Sequence, residues 1–247
     1  MVTGGSRGLG EHVVRLLLTE GARVATCART PEGLSALRDT VQSSGALVTR
    51  ALDVVEPGAL EQFVEDAATE MGGLDGVVAS AGGARGRGLA EATHQDWSET
   101  WEMNAGHAAR LTTAAAPHLR AAGGGSIVVV ASISGWKPGP QAQYGAAKAA
   151  QIFMVASLAR ELADSGIRVN AVSPGSMLIP GKRWDRMRRE DPSAFAHFLQ
   201  ELPGRELVTP QEVADVIAFL LSGQSRGVTG ANIPVDKGQN APTPNGY

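Results

Sequence analysis

In the segment QYGAAKAAQIFMVASLARELADSG, Tyr144 and Lys148 stand four residues apart, so a helix would put both on one face. A phenol with an ordinary pKa of about 10 is a poor acid or base at neutral pH, but a neighbouring ammonium stabilises the phenolate and lowers that value. A tyrosine so placed can give a proton to a substrate oxygen or take one from it. Upstream, the apolar run SIVVVAS ends at Ser132, whose hydroxyl can polarise a carbonyl. Ser134 is the rival, and either serine can instead cap a turn. Tyrosine and lysine four apart also occur in helices with no such role, so the surroundings must decide.

The second group is TGGSRGLGEHVV, where Gly4, Gly8 and Gly10 precede the helical pattern EHVVRLLLTEG. Glycines let a backbone turn tightly and approach a pyrophosphate, and a helix N-terminus offers free N–H donors and a positive dipole end. A dinucleotide fits this arrangement; the alternative is a turn that only starts a helix. The following strand ends Cys27-Ala28-Arg29, without the acid that an NAD site commonly places there for the ribose 2′-hydroxyl. Arg29 and Arg7 can instead grip a 2′-phosphate, which favours NADP(H) over NAD(H). Otherwise both arginines are solvated surface charges.

These groups need a frame. The runs RVATCA, ALVTRAL, LDGVVAS, SIVVVAS and IRVNAVS alternate with longer stretches of helical period. That alternation predicts an α/β fold: a Rossmann-type, doubly wound parallel sheet with helices on both faces, in one domain over 1–247. The stretch from SMLIPGKRW to GREL, about 176–205, interrupts the rhythm after the sixth strand, where a helical lid over a ligand would lie. A Pro/Asn-rich tail follows over about 239–247. With 43% hydrophobic residues, the 247-residue chain can bury one substantial core, and a net charge of −3 argues against nucleic acid or an acidic membrane as partner. Cys27 is the sole cysteine, in keeping with a reducing cytoplasm, and no run is long enough for a membrane span. His12, His94, His107, His118 and His197 show no close ligand spacing, so no catalytic metal is expected.

Taken in order, the residues resemble the classical short-chain dehydrogenase/reductase family, and within it the 3-oxoacyl-(acyl-carrier-protein) reductases. The turn from Thr3 to Gly10 is followed by Asp53-Val54, Asn104 in MNAG, Ser132 with Gly135, Tyr144 with Lys148, Asn170 in RVNAVSPG, Pro174-Gly175 and a closing VTGANIPVD. The resemblance implies hydride transfer between a nicotinamide and a ketone or secondary alcohol. It implies Tyr144 as acid/base and Ser132 as the residue orienting the carbonyl, preferred to Ser134 by its distance to Tyr144 and Gly135. Lys148 would hold the nicotinamide ribose and lower the tyrosine pKa, and Asn104 would anchor a water relay to Lys148. It further implies cofactor contacts from Gly4, Ser6, Arg7, Gly8, Leu9, Gly10, Arg29, Asp53, Val54, Ala81, Gly82, Pro174, Gly175 and Ser176, with Ser134, Trp136, Met177 and Trp184 bordering the substrate.

Three departures carry expectations of their own. The family's Asn-Asn-Ala-Gly is Ala79-Ser80-Ala81-Gly82, which removes amides that hold sheet and loop. A threonine after the Pro-Gly motif is Ile179, and the usual closing Gly-Gly is Lys237-Gly238, where packing or an oligomer edge is affected. Only Met1 and Val2 precede Thr3, so the first strand, expected to pair with the third and fourth, is truncated, and we expect the reading frame to begin further upstream. Gly123 and Ser165 stand where carrier-protein reductases commonly have arginine, although Arg120, Arg160 or Arg168 can substitute. A free small-molecule carbonyl or alcohol is therefore favoured over an acyl carrier protein. Arg85 and Arg87 can attract an anionic substrate, a homotetramer is implied, and a nucleotide-binding scaffold without turnover is the remaining alternative.

Overall fold

The computed structural model of the chain describes residues 1–41, 47–86 and 88–240. Its strands are β1 (Val2–Thr3), β2 (Val24–Ala28), β3 (Leu47–Ala51), β4 (Gly76–Ala79), β5 (Gly125–Val130), β6 (Ile167–Pro174) and β7 (Asn232–Val235). All pairings are parallel, in the order β3-β2-β1-β4-β5-β6-β7. The helices are α1 (Gly8–Thr19), α2 (Pro31–Thr40), α3 (Ala59–Met71), the short α4 (Gly88–Glu91), α5 (His94–Trp101), α6 (His107–Ala121), α7 (Ala142–Leu162), α8 (Arg183–Glu190), α9 (Pro192–Gln200) and α10 (Pro210–Leu221).

Alternation along the strands explains why helices cover both faces. Val77, Ala79, Ile127, Val129, Val169 and Ala171 turn to one side, where they join Phe63, Leu111, Leu119 and Val155 from α3, α6 and α7. Their neighbours Val78, Val128, Val130 and Val172 turn to the other, against Val13, Val14 and Leu18 of α1 and Val213, Ile217 and Leu220 of α10. Burying both faces is what makes these strands read as nearly continuous apolar runs.

The first strand is two residues long, and its neighbours differ from expectation. Val2 is in register with Thr26 of β2 and Val78 of β4, and the Val78 N–H donates to the Met1 carbonyl at 2.8 Å. β3 lies one strand further out. The chain winds outward through β2 to β3, then crosses back to place β4 on the other flank of β1, as right-handed crossovers in a doubly wound sheet demand.

The interruption after β6 forms two helices, α8 and α9. Pro192 opens α9, and the Asp191 carboxylate accepts the Ala194 N–H at 2.9 Å as its cap. An isolated bridge between Met177 and Val208 ties the two ends of the excursion together. No described helix is long and apolar enough to cross a membrane.

Candidate active site

Parallel strands deliver their carboxyl ends to one edge of the sheet, and the residues singled out above collect there. Gly4 has φ +75 and Gly8 φ +58, backbone that favours glycine. A Cβ on Gly10 would collide with the Gly4 carbonyl, so the turn stays tight only with glycine there. Arg7 stands at the N-cap of α1 in extended conformation, and no side chain caps this helix start. Its first N–H groups and dipole are thus available to an anion.

Side chains of the turn divide in role. Leu9 points into the core beside Val13, whereas Arg7 and Arg29 are exposed and Ser6 is half-buried. Ile179, where the family has threonine, lies over the turn: a Cβ on Gly8 would be 3.3 Å from its Cγ2. Lys182 follows, with its N–H donating to the Ile179 carbonyl at 3.0 Å. Burial holds the Lys182 ammonium below its usual range, and the positive charges of Arg7, Arg29 and Arg186 push it the same way. Cations from the turn, the end of β2 and the lid therefore all bear on Lys182, and among the described residues none of the four has an ion-pair partner.

Further along the edge, Asp53 is half-buried and its carboxylate accepts the Val55 N–H at 3.2 Å. The Val54 side chain joins the core, and its carbonyl accepts from Arg110 at 3.0 Å. Pro174 is buried at the end of β6, and the Gly175 N–H donates to the Val235 carbonyl. Ser176 is held by Gln239, whose Oε1 accepts the Ser176 N–H at 2.7 Å while its Nε2 donates to Ser176 Oγ at 3.0 Å. Gln239 carried no motif that would have marked it.

Tyr144, Lys148 and Ser132 meet as the spacing predicts. The Lys148 ammonium lies 5.5 Å from the Tyr144 ring centroid and donates to the Val130 carbonyl, two residues before Ser132, at 2.8 Å. Ser132 Oγ accepts the Ser134 N–H at 3.1 Å, so it does cap a turn, yet its O–H remains available to donate. Burial pushes the Tyr144 phenol up, and the Ser132 hydroxyl pulls it back. Burial also lowers Lys148 to about 7.

Asn104 lies in a π-turn over Glu102–Gly106 that joins α5 to α6, a local widening common at functional sites. Its Nδ2 donates to the Gly83 and Thr100 carbonyls, both at 2.7 Å, and its Oδ1 accepts the Gly83 N–H at 3.3 Å. The side chain thus fastens the loop containing Ala81 and Gly82. Its main-chain carbonyl accepts from Gln151 Nε2 at 3.1 Å, and Gln151 Oε1 accepts from Lys148 Nζ at 2.9 Å. Gln151 thus bridges the Asn104 turn and Lys148 directly. A polar residue within the buried stripe of α7, three positions after Lys148, was the signal that sequence reasoning passed over.

The loop after β4 is held through its backbone N–H groups. Thr3 Oγ1 accepts the N–H groups of Ser80 and Ala81 at 3.0 and 3.1 Å, and lies 3.1 Å from His107 Nε2. The other ring nitrogen of His107 meets the Met103 carbonyl at 2.9 Å, which assigns the proton to Nδ1 and leaves Nε2 to accept from Thr3. Burial, first, and then the charge of Lys148 push this imidazole down to about 4, so the network keeps one arrangement at neutral pH. Lys237, at φ +51, pairs with Glu206 at 2.6 Å and Glu212 at 3.1 Å, tying the last turn to the base of the lid and the start of α10.

The substrate-side residues are less unified. Trp136 is exposed and Ser134 half-buried next to Ser132. Met177 packs towards the core beneath the lid, and Trp184 stacks on Phe198 with centroids 3.9 Å apart, so it joins α8 to α9. Arg85 pairs with Glu99 at 3.4 Å; Arg87 lies outside the described residues.

Comparison with known proteins follows this geometry. A family model described as enoyl-(acyl carrier protein) reductase matches residues 4–240. An isoepoxydon dehydrogenase of Penicillium expansum is 34% identical over 96% of this chain and 93% of its own length. The 3-oxoacyl-(acyl-carrier-protein) reductase of Escherichia coli is 33% identical over 96% of this chain and 95% of its own. Among solved structures, a variant actinorhodin polyketide ketoreductase with NADPH superposes with TM-score 0.90 at 30% identity, covering 97% and 96% of the two chains. A short-chain dehydrogenase/reductase family oxidoreductase from Burkholderia thailandensis gives TM-score 0.88 at 31% identity, covering 97% and 91%.

Proposed function

Since the chain belongs to the short-chain dehydrogenase/reductase family, we propose that it interconverts a ketone and a secondary alcohol with NADP(H), using Tyr144 as the proton donor or acceptor. The observation that carries this reading is the convergence of Tyr144, Ser132 and Lys148 at the sheet edge that also holds the uncapped glycine turn. A bound nicotinamide supplies hydride for reduction and receives it in the reverse direction. The chain's part is to hold and move a proton. Tyr144, pushed up by burial, keeps its proton at neutral pH, the form that donates to a carbonyl oxygen. The Ser132 O–H polarises the same oxygen. Two of the three Lys148 N–H donors are committed, to Val130 and Gln151, which leaves one for a ribose hydroxyl.

NADP(H) is preferred because the charges of Arg7, Arg29 and Arg186 all bear on Lys182. A 2′-phosphate would offset that charge, and guanidinium groups form forked, charge-assisted bonds to it. Arg29→Asp is expected to lower the ratio of kcat/KM with NADPH to that with NADH by about 10- to 100-fold, the loss of one charge-assisted hydrogen bond. Steady-state kinetics with both nucleotides checks this, and an unchanged ratio assigns Arg29 to the solvated surface.

A free carbonyl compound is the substrate class we favour. The Arg168 guanidinium is occupied by the Leu220 and Ser222 carbonyls and by Ser225, and Arg120 donates to Ser165. Arg168 is therefore not free to grip an acidic carrier protein. The carrier-linked 3-oxoacyl reading draws on the name of the Escherichia coli relative, and turnover of a carrier-bound thioester well above that of a free β-ketoester would establish it. Assembly as a homotetramer is part of the proposal: Phe153 on α7 is 77% exposed and Trp101 on α5 47%, an apolar surface suited to a second copy.

A further inference from the structure

Gln151 is completely buried, and each half of its amide has one partner of fitting polarity. Oε1 accepts from Lys148 Nζ on the preceding turn of α7, and Nε2 donates to the Asn104 carbonyl in the π-turn of the facing segment. Both partners are buried too, Lys148 at 3% and Asn104 at 0% exposure. A buried amide with both ends satisfied is rigid, and removing one partner strands the other at a cost. Tyr144 on the same helix and His107 on α6 are the other titratable groups facing Lys148, and the His107 imidazole is neutral at pH 7. Among the described residues, no carboxylate forms an ion pair with Lys148.

We propose that Gln151 is a positioning residue for Lys148, a direct amide link from Lys148 to the Asn104 turn. With the Val130 carbonyl, the amide holds Nζ between two fixed acceptors, so that the third N–H has one direction. This inference names the support of the proposed acid/base group and so rests on that reading for its kinetic part, but not for its geometric part.

The chain has four lysines, Lys137, Lys148, Lys182 and Lys237, so the Lys148 ammonium can be titrated individually by NMR of a chain carrying 13Cε-lysine. In Gln151→Glu the new carboxylate is expected to raise the Lys148 pKa by about 1–3 units, and in Gln151→Leu the loss of an acceptor is expected to lower it. Leu is close to Gln in volume, so if the Glu variant does not fold the Leu variant decides alone. A Lys148 titration unchanged in a folded Leu variant overturns the proposal. With NADPH and a ketone, Gln151→Leu is expected to reduce kcat by about 10- to 100-fold through misplacement of Lys148, with KM for the ketone little changed. The titration needs no turnover, so shifted lysine values in a protein inactive towards every carbonyl would retain the Gln151 link and reject the oxidoreductase reading.

Discussion

Tyr144→Phe is expected to lower kcat for ketone reduction by about 10²- to 10⁴-fold, the usual contribution of a positioned acid/base group, while nucleotide affinity stays within a few-fold of the parent. The change deletes one oxygen and leaves a ring of nearly the same volume. Lys148 holds its place through Val130 and Gln151, not through the phenol, so the ammonium should not move. Ser132 likewise keeps its own turn by accepting from Ser134. The loss would therefore fall on proton transfer alone. Single-turnover measurements with saturating NADPH separate this step from product release, and retained turnover would sink the assignment.

Lys148→Met is expected to have effects of opposite sign on turnover and on the pH dependence of stability. Turnover should fall by a factor comparable to that for Tyr144→Phe, since the last free N–H donor is lost. Stability follows from linkage. The native Lys148 value is about 7, whereas an unfolded lysine titrates at about 10.4, so between those values the unfolded chain binds more protons than the native one. Native stability thus bears the full penalty below about pH 7 and recovers as pH rises towards about 10.4. The methionine variant lacks this term, so its Tm relative to the parent should rise as pH falls through that window, by the equivalent of at most about 5 kcal/mol. Two acceptors left bare, at Val130 and Gln151, lower the variant at every pH without altering the slope. Parallel Tm curves for parent and variant from pH 6 to 10 would contradict a depressed, buried Lys148.

How far the fold could be read from the chain depended on how local the signal was. Strands buried on both faces announce themselves as apolar runs, which is why β2, β4, β5 and β6 and the covering helices are recognisable in sequence. The Tyr144–Lys148 pair was legible because helical spacing alone sets it, and the glycine turn because only glycine tolerates φ +75 at Gly4 with such ease. What could not be read were contacts between distant segments. The neighbours of β1 depend on the direction of each crossover. His107 and Thr3 are separated by about a hundred residues, yet they meet beside the Ser80 N–H that Thr3 accepts. Trp184 gives no sign in sequence that Phe198 of the next helix stacks on it. Gln151 looks like a surface polar residue in a helix until Asn104 arrives from another segment to receive its N–H.

The central claim is that the glycine turn and the cations around it hold a nicotinamide dinucleotide carrying a 2′-phosphate. Titration of the purified chain with NADPH, and separately with NADH, followed by nicotinamide fluorescence and with far-ultraviolet circular dichroism on the same sample, addresses it directly. Saturable binding of both nucleotides, with NADPH tighter and its advantage shrinking as salt is raised, is the predicted result. A folded chain that binds neither nucleotide, or one that binds NADH as tightly as NADPH at low salt, would contradict it.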